Sequence, residues 1–453
     1  MEVEPWLARA AAARPEHTAL RTPQGDWSYA ELHAAARAGA HALAARGAGP
    51  GTRVAIALPA GREFAQALHA CLLLGAVAVP VDQRLSAAER APILDAAAVH
   101  VQEPLASASL AAGADAPAGT PIRATHDLDA VAVVIHTSGT TAAPRAVELT
   151  YANILWSALG SAVALGLDPQ ERWLCALPLS HVGGLSILLR SAIYTTTAIV
   201  HERFETGRVL GALQAGEATL VSLVATTLAR LLDAGLEHPP ALRCALTGGG
   251  PVPAALLARA HAAGVPVSLT YGLTEACSQV TTTPVAEITD STDAPLAASA
   301  GPPLFCTRVR IASDGEVLVG GPTVAPRAIG ADGWLHTGDV GEVDERGRLR
   351  ISARKADTIV SGGENVAPAE VEAVLEAHPQ VLEAGVVGRP DAQWGEAVTA
   401  WVVARPGVEL DFQDLIAHCA RELAPHKRPK DYKLSDESLP RTASGKLLRR
   451  ELH

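Results

Sequence analysis

Small hydroxyl side chains cluster behind an apolar run in the stretch HTSGTTAAPRAV, residues 136–147. The residues with chemical potential there are four hydroxyl residues, a glycine and an arginine: Thr137, Ser138, Gly139, Thr140, Thr141 and Arg145. Backbone amides, short hydroxyl donors and a guanidinium together suit a bound polyphosphate. The Walker A pattern G-x-x-x-x-G-K-[ST] is absent, which excludes a loop of that class. These residues alone leave two interpretations open, a phosphate-binding loop and a polar loop between a strand and a helix.

Four further motifs follow in order along the chain. They are TYGLTEA at 270–276, WLHTGDVG at 334–341, RKADTIVSGGENV at 354–366 and PRTASGKLLRREL at 440–452. Each has a plain interpretation by itself: Glu275 as a carboxylate at a helix start, Asp339 as a turn residue and Lys446 as a solvated charge. Five motifs in this particular order are hard to explain as separate coincidences.

The elements that must position these motifs alternate between helix and strand. Residues 29–46 have apolar positions at helical spacing, and the short apolar strand of GPGTRVAIALP follows. The stretch REFAQALHACLLLGAVAVPV repeats the order of helix, glycine and strand, and the alternation continues to about residue 300. This order predicts a parallel sheet with helices on its faces. AVAVVIH at 130–136 is a continuous apolar strand, and Thr150 is placed to cap a helix that begins near Tyr151.

The last third of the chain has a different pattern. From GPPLFCTRVRI to GRLRISAR, short strands separated by glycine turns predict a small β-rich layer. The stretches PAEVEAVLEAHPQVLEAGVVG and EAVTAWVVA then predict a compact α+β unit, while the Ala/Pro/Gly/Ser-rich residues 105–121 predict a loop. We therefore expect an α/β fold with two domains. Residues 1–354 form a large N-terminal domain of helix-flanked sheets plus the β-rich layer, and residues 355–453 form a small α+β C-terminal domain.

Composition restricts the class of protein. A chain of 453 residues is too long for one core, and 48% apolar with 19% charged residues indicates a globular protein. The net charge of −11 argues against nucleic acid as a partner, because phosphate binding needs a basic surface. A signal peptide and a stretch long enough to span a bilayer are both lacking, so we expect no membrane partner. The six scattered cysteines predict free thiols and a cytoplasmic protein.

The ordered motifs resemble the adenylate-forming superfamily of acyl- and aryl-CoA ligases, luciferases and peptide-synthetase adenylation domains. The resemblance covers essentially the whole chain. It implies that the C-terminal domain is mobile, that the active site lies between the two domains, and that the enzyme uses ATP, Mg²⁺ and CoA to activate a small carboxylic acid. Such chemistry needs no enzyme nucleophile, and a G-x-S-x-G signature is indeed missing from the sequence.

The resemblance also implies a role for individual residues. Lys446 would bridge the attacking carboxylate and the α-phosphate, and Glu275 with Thr141 would hold Mg²⁺. A lysine and Mg²⁺ offset the repulsion between a carboxylate and the nucleotide, and they stabilise the charge of the transition state. The phosphates would be bound by Thr137, Ser138, Gly139, Thr140, Thr141 and Arg145. Tyr271 would stack on adenine, the backbone of Gly248, Gly249 and Gly250 would approach the base or the acyl group, and Gly272 and Thr274 are further nucleotide-binding candidates. Asp339 and Arg354 would bind the ribose, and Gly362 and Gly363 would lie on the pantetheine path.

The chain departs from the superfamily pattern in two places. The phosphate loop usually reads T-S-G-T-T-G-x-P-K-G, whereas Ala142, Arg145 and Ala146 occupy the glycine, lysine and glycine positions here. Arginine keeps the charge but changes the geometry, and alanine restricts the backbone, so we expect weaker ATP binding with activity retained. The usual hinge position, two residues after Arg354, is Ala356.

Two longer stretches, LPLSHVGGLSILLRS and TYGLTEACSQV, most resemble the o-succinylbenzoate–CoA ligases of menaquinone biosynthesis. In that family His181, Gly183 and Gly184 line the acyl pocket, with His181 also close to the chemistry, and Ser278 and Gln279 lie near the substrate end. The plain alternatives are a core or loop histidine for His181 and helix-surface positions for Ser278 and Gln279.

Three alternatives to this assignment stay open from the sequence. They are another aryl- or alicyclic-acid CoA ligase, an adenylating enzyme that loads a carrier protein, and a catalytically weak homologue that binds a nucleotide. The sequence is compatible with a homodimer.

Overall fold

The computed structural model describes residues 1–105, 122–137, 145–289, 299–361, 364–391, 394–441 and 447–452. The predicted loop at 105–121, most of the phosphate loop, Gly362, Gly363 and Lys446 therefore lie outside the described residues, apart from Leu105 itself. In the part of the chain that is described, none of the helices has the length and apolar content needed to cross a bilayer. All six cysteines are free thiols, as predicted, and all six are buried.

The helices and strands follow one another in the predicted alternating order. The helices of the described residues are α1 (Trp6–Ala13), α2 (Tyr29–Ala45), α3 (Arg62–Leu74), α4 (Ala87–Asp95), α5 (Tyr151–Leu165), α6 (Val182–Tyr194), α7 (Thr206–Gln214), α8 (Ala225–Asp233), α9 (Ala254–Ala262), α10 (Val285–Thr289), α11 (Pro368–Glu376) and α12 (Phe412–Glu422). The strands are β1 (Glu2–Val3), β2 (Thr18–Thr22), β3 (Gly25–Ser28), β4 (Arg53–Ile56), β5 (Val77–Pro80), β6 (Val99–Val101), β7 (His126–Asp127), β8 (Val131–Thr137), β9 (Arg145–Thr150), β10 (Arg172–Cys175), β11 (Thr197–Val200), β12 (Leu220–Leu223), β13 (Cys244–Thr247), β14 (Val267–Leu273), β15 (Ser278–Thr282), β16 (Arg308–Ile311), β17 (Glu316–Gly320), β18 (Leu335–Val343), β19 (Leu349–Arg354), β20 (Ile359–Ser361), β21 (Glu364–Val366), β22 (Val381–Asp391), β23 (Gly395–Ala404) and β24 (Asp431–Leu434).

Two mostly parallel sheets form the larger part of the molecule. One has the order β15-β14-β13-β12-β10-β11-β2-β3 and the other the order β6-β4-β5-β8-β9. The main apolar core lies between the two sheets and includes buried residues of α1, α2, α3, α5 and α6. Helices α7, α8 and α9 cover the outer face of the first sheet, and α4 covers the outer face of the second. Burial on both faces explains the continuous apolar strands of the sequence, and the predicted α/β class is confirmed.

The last third of the chain builds two smaller sheets. Strands β16 to β19 form the predicted β-rich layer, which is antiparallel and has its own apolar core. Strands β20 to β24 form a separate sheet that packs with α11 and α12 around another core. Strand β19 ends at Arg354 and β20 begins at Ile359, so the proposed domain boundary at 354–355 lies in the connection between the two sheets.

The segment behind β8 differs from the predicted strand-to-helix loop. Strand β9 intervenes and pairs with β8 in antiparallel orientation, with Thr137 opposite Arg145. Strands β8 and β9 therefore form an antiparallel pair, and the helix begins only after β9. The sequence RAVELT alternates buried Val147 and Leu149 with more exposed neighbours, which is the pattern of an edge strand. Thr150 caps α5 as predicted, through a capping box with Asn153.

Candidate active site

The carboxyl ends of β13 and β14 bring two of the predicted motifs to one sheet edge. The strands are parallel, and the glycines at 248–250 directly follow β13, while Tyr271 lies near the end of β14. Ligands of open α/β sheets bind at such edges. A Cβ on Gly248 would lie 2.6 Å from the carbonyl oxygen of Thr270, and Gly249 has a φ of +81°. These glycines therefore allow a close backbone approach beside Tyr271.

A strained turn presents Glu275 at the same edge. Residues Thr274–Ala276 form a 3₁₀ turn, and the Glu275 carbonyl accepts a 2.8 Å hydrogen bond from the Ala325 amide. Cys277 and Ser278 then have positive φ angles of 53° and 92°, which are uncommon for non-glycine residues. A Cβ on Gly272 would lie 1.6 Å from the carbonyl oxygen of Ser278. Gly272 is thus required by the return of the chain into β15.

Tyr271, Asp339 and Arg354 form one hydrogen-bonded cluster. The Tyr271 hydroxyl donates to Asp339 Oδ2 at 2.7 Å, and Arg354 Nη1 donates to Asp339 Oδ1 at 3.0 Å. Asp339 and Arg354 lie opposite each other on β18 and β19. Burial and the neighbouring Asp339 charge raise the pKa of the Tyr271 phenol, so this phenol stays a donor at neutral pH. A carboxylate has about four acceptor sites, which leaves Asp339 capacity for further donors such as ribose hydroxyls.

His181 lies at the start of α6, where it is the N-cap residue. Its Nε2 is 3.2 Å from Arg84 Nη2 and 3.7 Å from Asp82 Oδ2, and 40% of its side chain is exposed. Burial alone would raise the pKa of the Asp82 carboxyl, but hydrogen bonds from Arg84 and its charge lower this pKa to about 2. His181 therefore faces a stable ion pair at the protein surface. The alternative of a core histidine is wrong, while that of a loop histidine stays open, because His181 ends the loop before α6.

The two glycines behind His181 have different surroundings. A Cβ on Gly184 would lie 2.4 Å from the carbonyl oxygen of Pro178, which explains a glycine in the first turn of α6. The nearest atom to a Cβ on Gly183 would be Leu177 Cδ1 at 3.6 Å, an ordinary contact distance. Only Gly184 is required by the fold.

Ser278 and Gln279 lie on strand β15, so their alternative interpretation as helix-surface residues is wrong. Gln279 is opposite Gly272 and is 1% exposed. Its Nε2 donates to Thr282 Oγ1 at 2.8 Å, while its Oε1 is buried without a hydrogen-bond partner among the described residues. Buried polar atoms are rarely left unsatisfied, so this amide has unused hydrogen-bonding capacity.

An apolar cavity lies between β8, α5, α6 and the turn behind β14. Its lining consists of apolar side chains with a few polar groups: Val133, Leu149, Ile154, Ser157, Val182, Leu185, Ser186, Leu189, Arg190 and Cys277. The predicted substrate residues His181 and Ser278 directly adjoin this lining, next to Val182 and Cys277 in the chain. The cavity volume of about 10 Å³ has room for about one water molecule, so a mainly hydrophobic acyl group with one polar substituent can enter only when the walls move apart.

Arg190 is the functional candidate that sequence reasoning missed. It is 2% exposed, its Nη2 is 3.0 Å from Ser157 Oγ, and its guanidinium stacks on Trp173 with 5.6 Å between Cζ and the ring centroid. Its Nε is buried without a hydrogen-bond partner, and none of the described acidic side chains forms an ion pair with it. Burial lowers the pKa of this guanidinium, but arginine remains charged at neutral pH.

The remaining predicted site residues are either outside the described residues or described without a contact to the clusters above. Ser138, Gly139, Thr140, Thr141, Gly362, Gly363 and Lys446 lie outside the described residues, so their contacts remain predictions. Thr137 and Arg145 are described at the two ends of the phosphate loop, where Thr137 Oγ1 is 3.4 Å from the Arg145 carbonyl oxygen. Thr274 begins the 3₁₀ turn and Gly250 follows Gly249 at the sheet edge.

Comparison with known protein families matches almost the whole chain. The AMP-binding enzyme model matches residues 7–103 and 99–327, and the AMP-binding enzyme C-terminal domain model matches residues 370–446. This chain belongs to the AMP-binding enzyme family. The predicted resemblance is thus confirmed.

Individual members of the AMP-binding enzyme family extend this result. The 2-succinylbenzoate–CoA ligase of Bacillus subtilis (strain 168) is 38% identical over 480 residues, which cover 99% of this chain and 97% of that protein. The solved o-succinylbenzoate CoA synthetase (MenE) from Bacillus subtilis in complex with the acyl-adenylate intermediate OSB-AMP has a TM-score of 0.89 and 36% identity, with 100% and 98% of the two chains covered. The same enzyme in complex with ATP and magnesium ion has a TM-score of 0.88 and 36% identity, with 100% of each chain covered.

Proposed function

We propose that this chain activates the succinyl carboxylate of o-succinylbenzoate with ATP and transfers the acyl group to CoA. The enzyme is an AMP-forming acid–thiol ligase, and its co-substrates are ATP and CoA. The succinyl carboxylate attacks the α-phosphate, pyrophosphate leaves, and the acyl-adenylate is then attacked by the CoA thiol with release of AMP.

The buried Arg190 carries this proposal. An unpaired guanidinium in an apolar cavity is costly, since a buried charge normally needs a counter-ion. o-Succinylbenzoate has two carboxylates on an aromatic keto acid, and only one of them reacts. The ring would pack against the apolar lining once the cavity opens to admit it, and the ring carboxylate would supply the missing counter-ion for Arg190. Plain benzoate, an alicyclic monoacid and a fatty acid each lack a second anion for this position.

The nucleotide side fits the same reaction. Asp339 has acceptor capacity for the ribose hydroxyls, and the ring of Tyr271 lies beside the glycines that allow an adenine base to approach. Mg²⁺ prefers carboxylate, hydroxyl and phosphate oxygens, and the Glu275 carboxylate with the Thr141 hydroxyl offers this donor chemistry. When bound, Mg²⁺ offsets the charge of the triphosphate. Lys446 is the proposed partner of the attacking carboxylate.

A panel of acids with ATP, Mg²⁺ and CoA tests the substrate. We expect pyrophosphate release and thioester formation with o-succinylbenzoate, and much slower reaction with benzoate, cyclohexanecarboxylate, a medium-chain fatty acid and acetate. A preference for benzoate or the alicyclic acid would contradict the proposed substrate. Pyrophosphate release without thioester formation from free CoA would favour a carrier protein as acceptor, and no release with any acid would favour a weak nucleotide-binding homologue.

A further inference from the structure

We infer that Ser157 is a positioning residue, which fixes the direction in which the Arg190 guanidinium meets the ring carboxylate of the acid. This inference rests on the proposed function, because Arg190 is there the counter-ion of that carboxylate. Ser157 lies on α5, Arg190 lies on α6, and both line the apolar cavity. The serine acts through the arginine, since its own hydrogen is already used elsewhere in the protein.

The Ser157 hydroxyl makes two hydrogen bonds with residues that are far away in the chain. Its Oγ donates to the Cys277 carbonyl at 2.6 Å and accepts from Arg190 Nη2 at 3.0 Å. A serine hydroxyl has a single hydrogen, and that hydrogen points to Cys277, so the oxygen faces Arg190 as an acceptor. Serines inside helices often bond to a carbonyl of their own preceding turn. Here the hydroxyl instead joins α5 to α6 and to the turn before β15.

Trp173 holds the Arg190 guanidinium from a second direction. The indole ring lies under the guanidinium, and its Nε1 donates to Ser222 Oγ at 3.0 Å. Trp173 on β10 and Ser222 on β12 belong to the same sheet, so the ring has a fixed position. Contact with a ring face sets the plane of a guanidinium but leaves it able to turn within that plane. The hydrogen bond to Ser157 therefore sets the direction of the N–H groups.

Gly160 lets α5 approach closely enough for this contact. It follows Ser157 by one helical turn, and a Cβ on Gly160 would lie 2.8 Å from Cys306 Sγ and 3.0 Å from Leu304 Cδ1. The Leu304 amide donates to the Val280 carbonyl of β15 at 2.9 Å, so this segment lies directly beside β15. A side chain at position 160 would push α5 away from β15 and from the turn before it.

A neutral acceptor suits this position better than a carboxylate. Serine orients the guanidinium without neutralising it, so the positive charge stays available for a carboxylate of the ligand. The described groups that act electrostatically on Arg190 are Tyr194, Cys277 and Cys306, none of which is a carboxylate. An aspartate at position 157 would form the ion pair inside the protein and compete with the acid for Arg190. Ser157 thus keeps Arg190 oriented and charged.

A kinetic comparison of two acids tests the inference. 3-Benzoylpropionate lacks the ring carboxylate of o-succinylbenzoate and keeps the reacting succinyl arm. For Ser157→Ala we expect the preference for o-succinylbenzoate in kcat/KM to fall about 10-fold, the size of losing one hydrogen bond to a charged group. The loss should lie in KM for o-succinylbenzoate with kcat nearly unchanged, because the ring carboxylate does not react. In an Arg190→Met background, Ser157→Ala should leave the ratio of the two acids unchanged.

Two further variants separate positioning from stability. Ser161→Ala is the matched control, because Ser161 lies one turn further along α5, is equally buried and is outside the cavity lining. Its acid preference should equal that of the wild type. Ser157→Cys keeps nearly the same volume but offers only a weak acceptor, so it should lose the preference even if Ser157→Ala folds poorly. Equal losses with both acids, or a further change of the ratio in the Arg190→Met background, would overturn the positioning role.

A crystal structure of ligand-free Ser157→Ala gives a measurement that is independent of the substrate. We expect the guanidinium to turn within its plane over Trp173, so that Nη2 no longer points to residue 157. A guanidinium in the wild-type orientation would overturn the inference. A wild-type enzyme that does not prefer o-succinylbenzoate over 3-benzoylpropionate would instead contradict the proposed substrate, and the orientation of Arg190 would still decide the role of Ser157.

Discussion

The nucleotide side and the acid side of the candidate site are built in opposite ways. At the nucleotide side, Asp339 already has two partners, Tyr271 and Arg354, and these come from three strands of two sheets. At the acid side, Arg190 lies in an apolar cavity and has a serine and a tryptophan ring as its neighbours, but no acidic partner among the described residues. The Asp339 cluster is thus already hydrogen-bonded before a ligand binds, whereas the described groups around Arg190 supply no counter-charge.

The difference indicates where specificity resides. A hydrogen-bond network that is already formed loses few contacts when the nucleotide binds. It therefore contributes equally to the activation of every acid. A site that leaves a buried charge unpaired favours the ligand that supplies the counter-charge and rejects analogues without it. We therefore expect changes on the nucleotide side to affect all acids alike, and changes at Arg190 to affect o-succinylbenzoate selectively.

The largest expected effect is at Lys446, which the proposal places between the two sides. Lys446→Ala should lower the rate of adenylate formation by about 10²–10³-fold, the size typical of losing one electrostatic contact to a transition state. The loss should be the same with every acid that reacts. Thioester formation from supplied acyl-adenylate should remain near the wild-type rate, and equal losses in both half-reactions would mean that the lysine is structural.

A smaller effect is expected at Asp339. Asp339→Asn removes the charged acceptor of the nucleotide side. Because hydrogen bonds to charged groups contribute about 1.5–3 kcal/mol, we expect kcat/KM for ATP to fall about 10- to 100-fold. The ratio of activities between two acids should not change. Tyr271→Phe, which deletes one neutral donor to the same carboxylate, is the matched control and should cost less. An altered acid preference in Asp339→Asn would contradict the claim that the nucleotide side does not determine acid specificity.

The smallest effect is expected at His336, which contacts Glu316 next to the Asp339 segment of the nucleotide side. Glu316 accepts a 2.8 Å hydrogen bond from the Gly338 amide next to Asp339, and its Oε2 is 3.2 Å from His336 Nδ1. The hydrogen bonds with Glu316 and Asp332 raise the pKa of the His336 imidazole. A raised folded-state pKa means that this stabilisation is complete below about pH 6.5 and is lost as pH rises through the folded pKa. Thermal unfolding at two pH values tests this role. His336→Gln should slightly lower the unfolding midpoint at pH 5.5 and leave it unchanged at pH 8.5. A larger loss at pH 8.5 would contradict this role.

The alternation of helix and strand could be predicted from sequence because inner strands such as β12 are buried throughout and read as apolar runs, while helices such as α9 bury one face and show helical spacing. Strand β9 could not, because its six residues follow a glycine- and proline-containing loop and resemble a continuation of it. The motifs of Asp339 and Arg354 were recognisable, but the contact of Asp339 with Tyr271 joins residues far apart in the chain and depends on how two sheets pack. Arg190 gave one weak signal, a single cation within the apolar run LSILLRSA, and only the fold shows that it is buried.

The most direct test of the account compares two acids that differ by one carboxylate. 3-Benzoylpropionate is o-succinylbenzoate without the ring carboxylate, and it keeps the reacting succinyl arm. The wild-type enzyme should prefer o-succinylbenzoate by about 100-fold or more in kcat/KM, in line with the 2–5 kcal/mol that the loss of one partner of a buried charge pair costs. In Arg190→Met this ratio should fall to near one, with KM for ATP unchanged. An Arg190→Met variant that keeps the wild-type preference would contradict the assignment of Arg190 and with it the proposed basis of substrate selection.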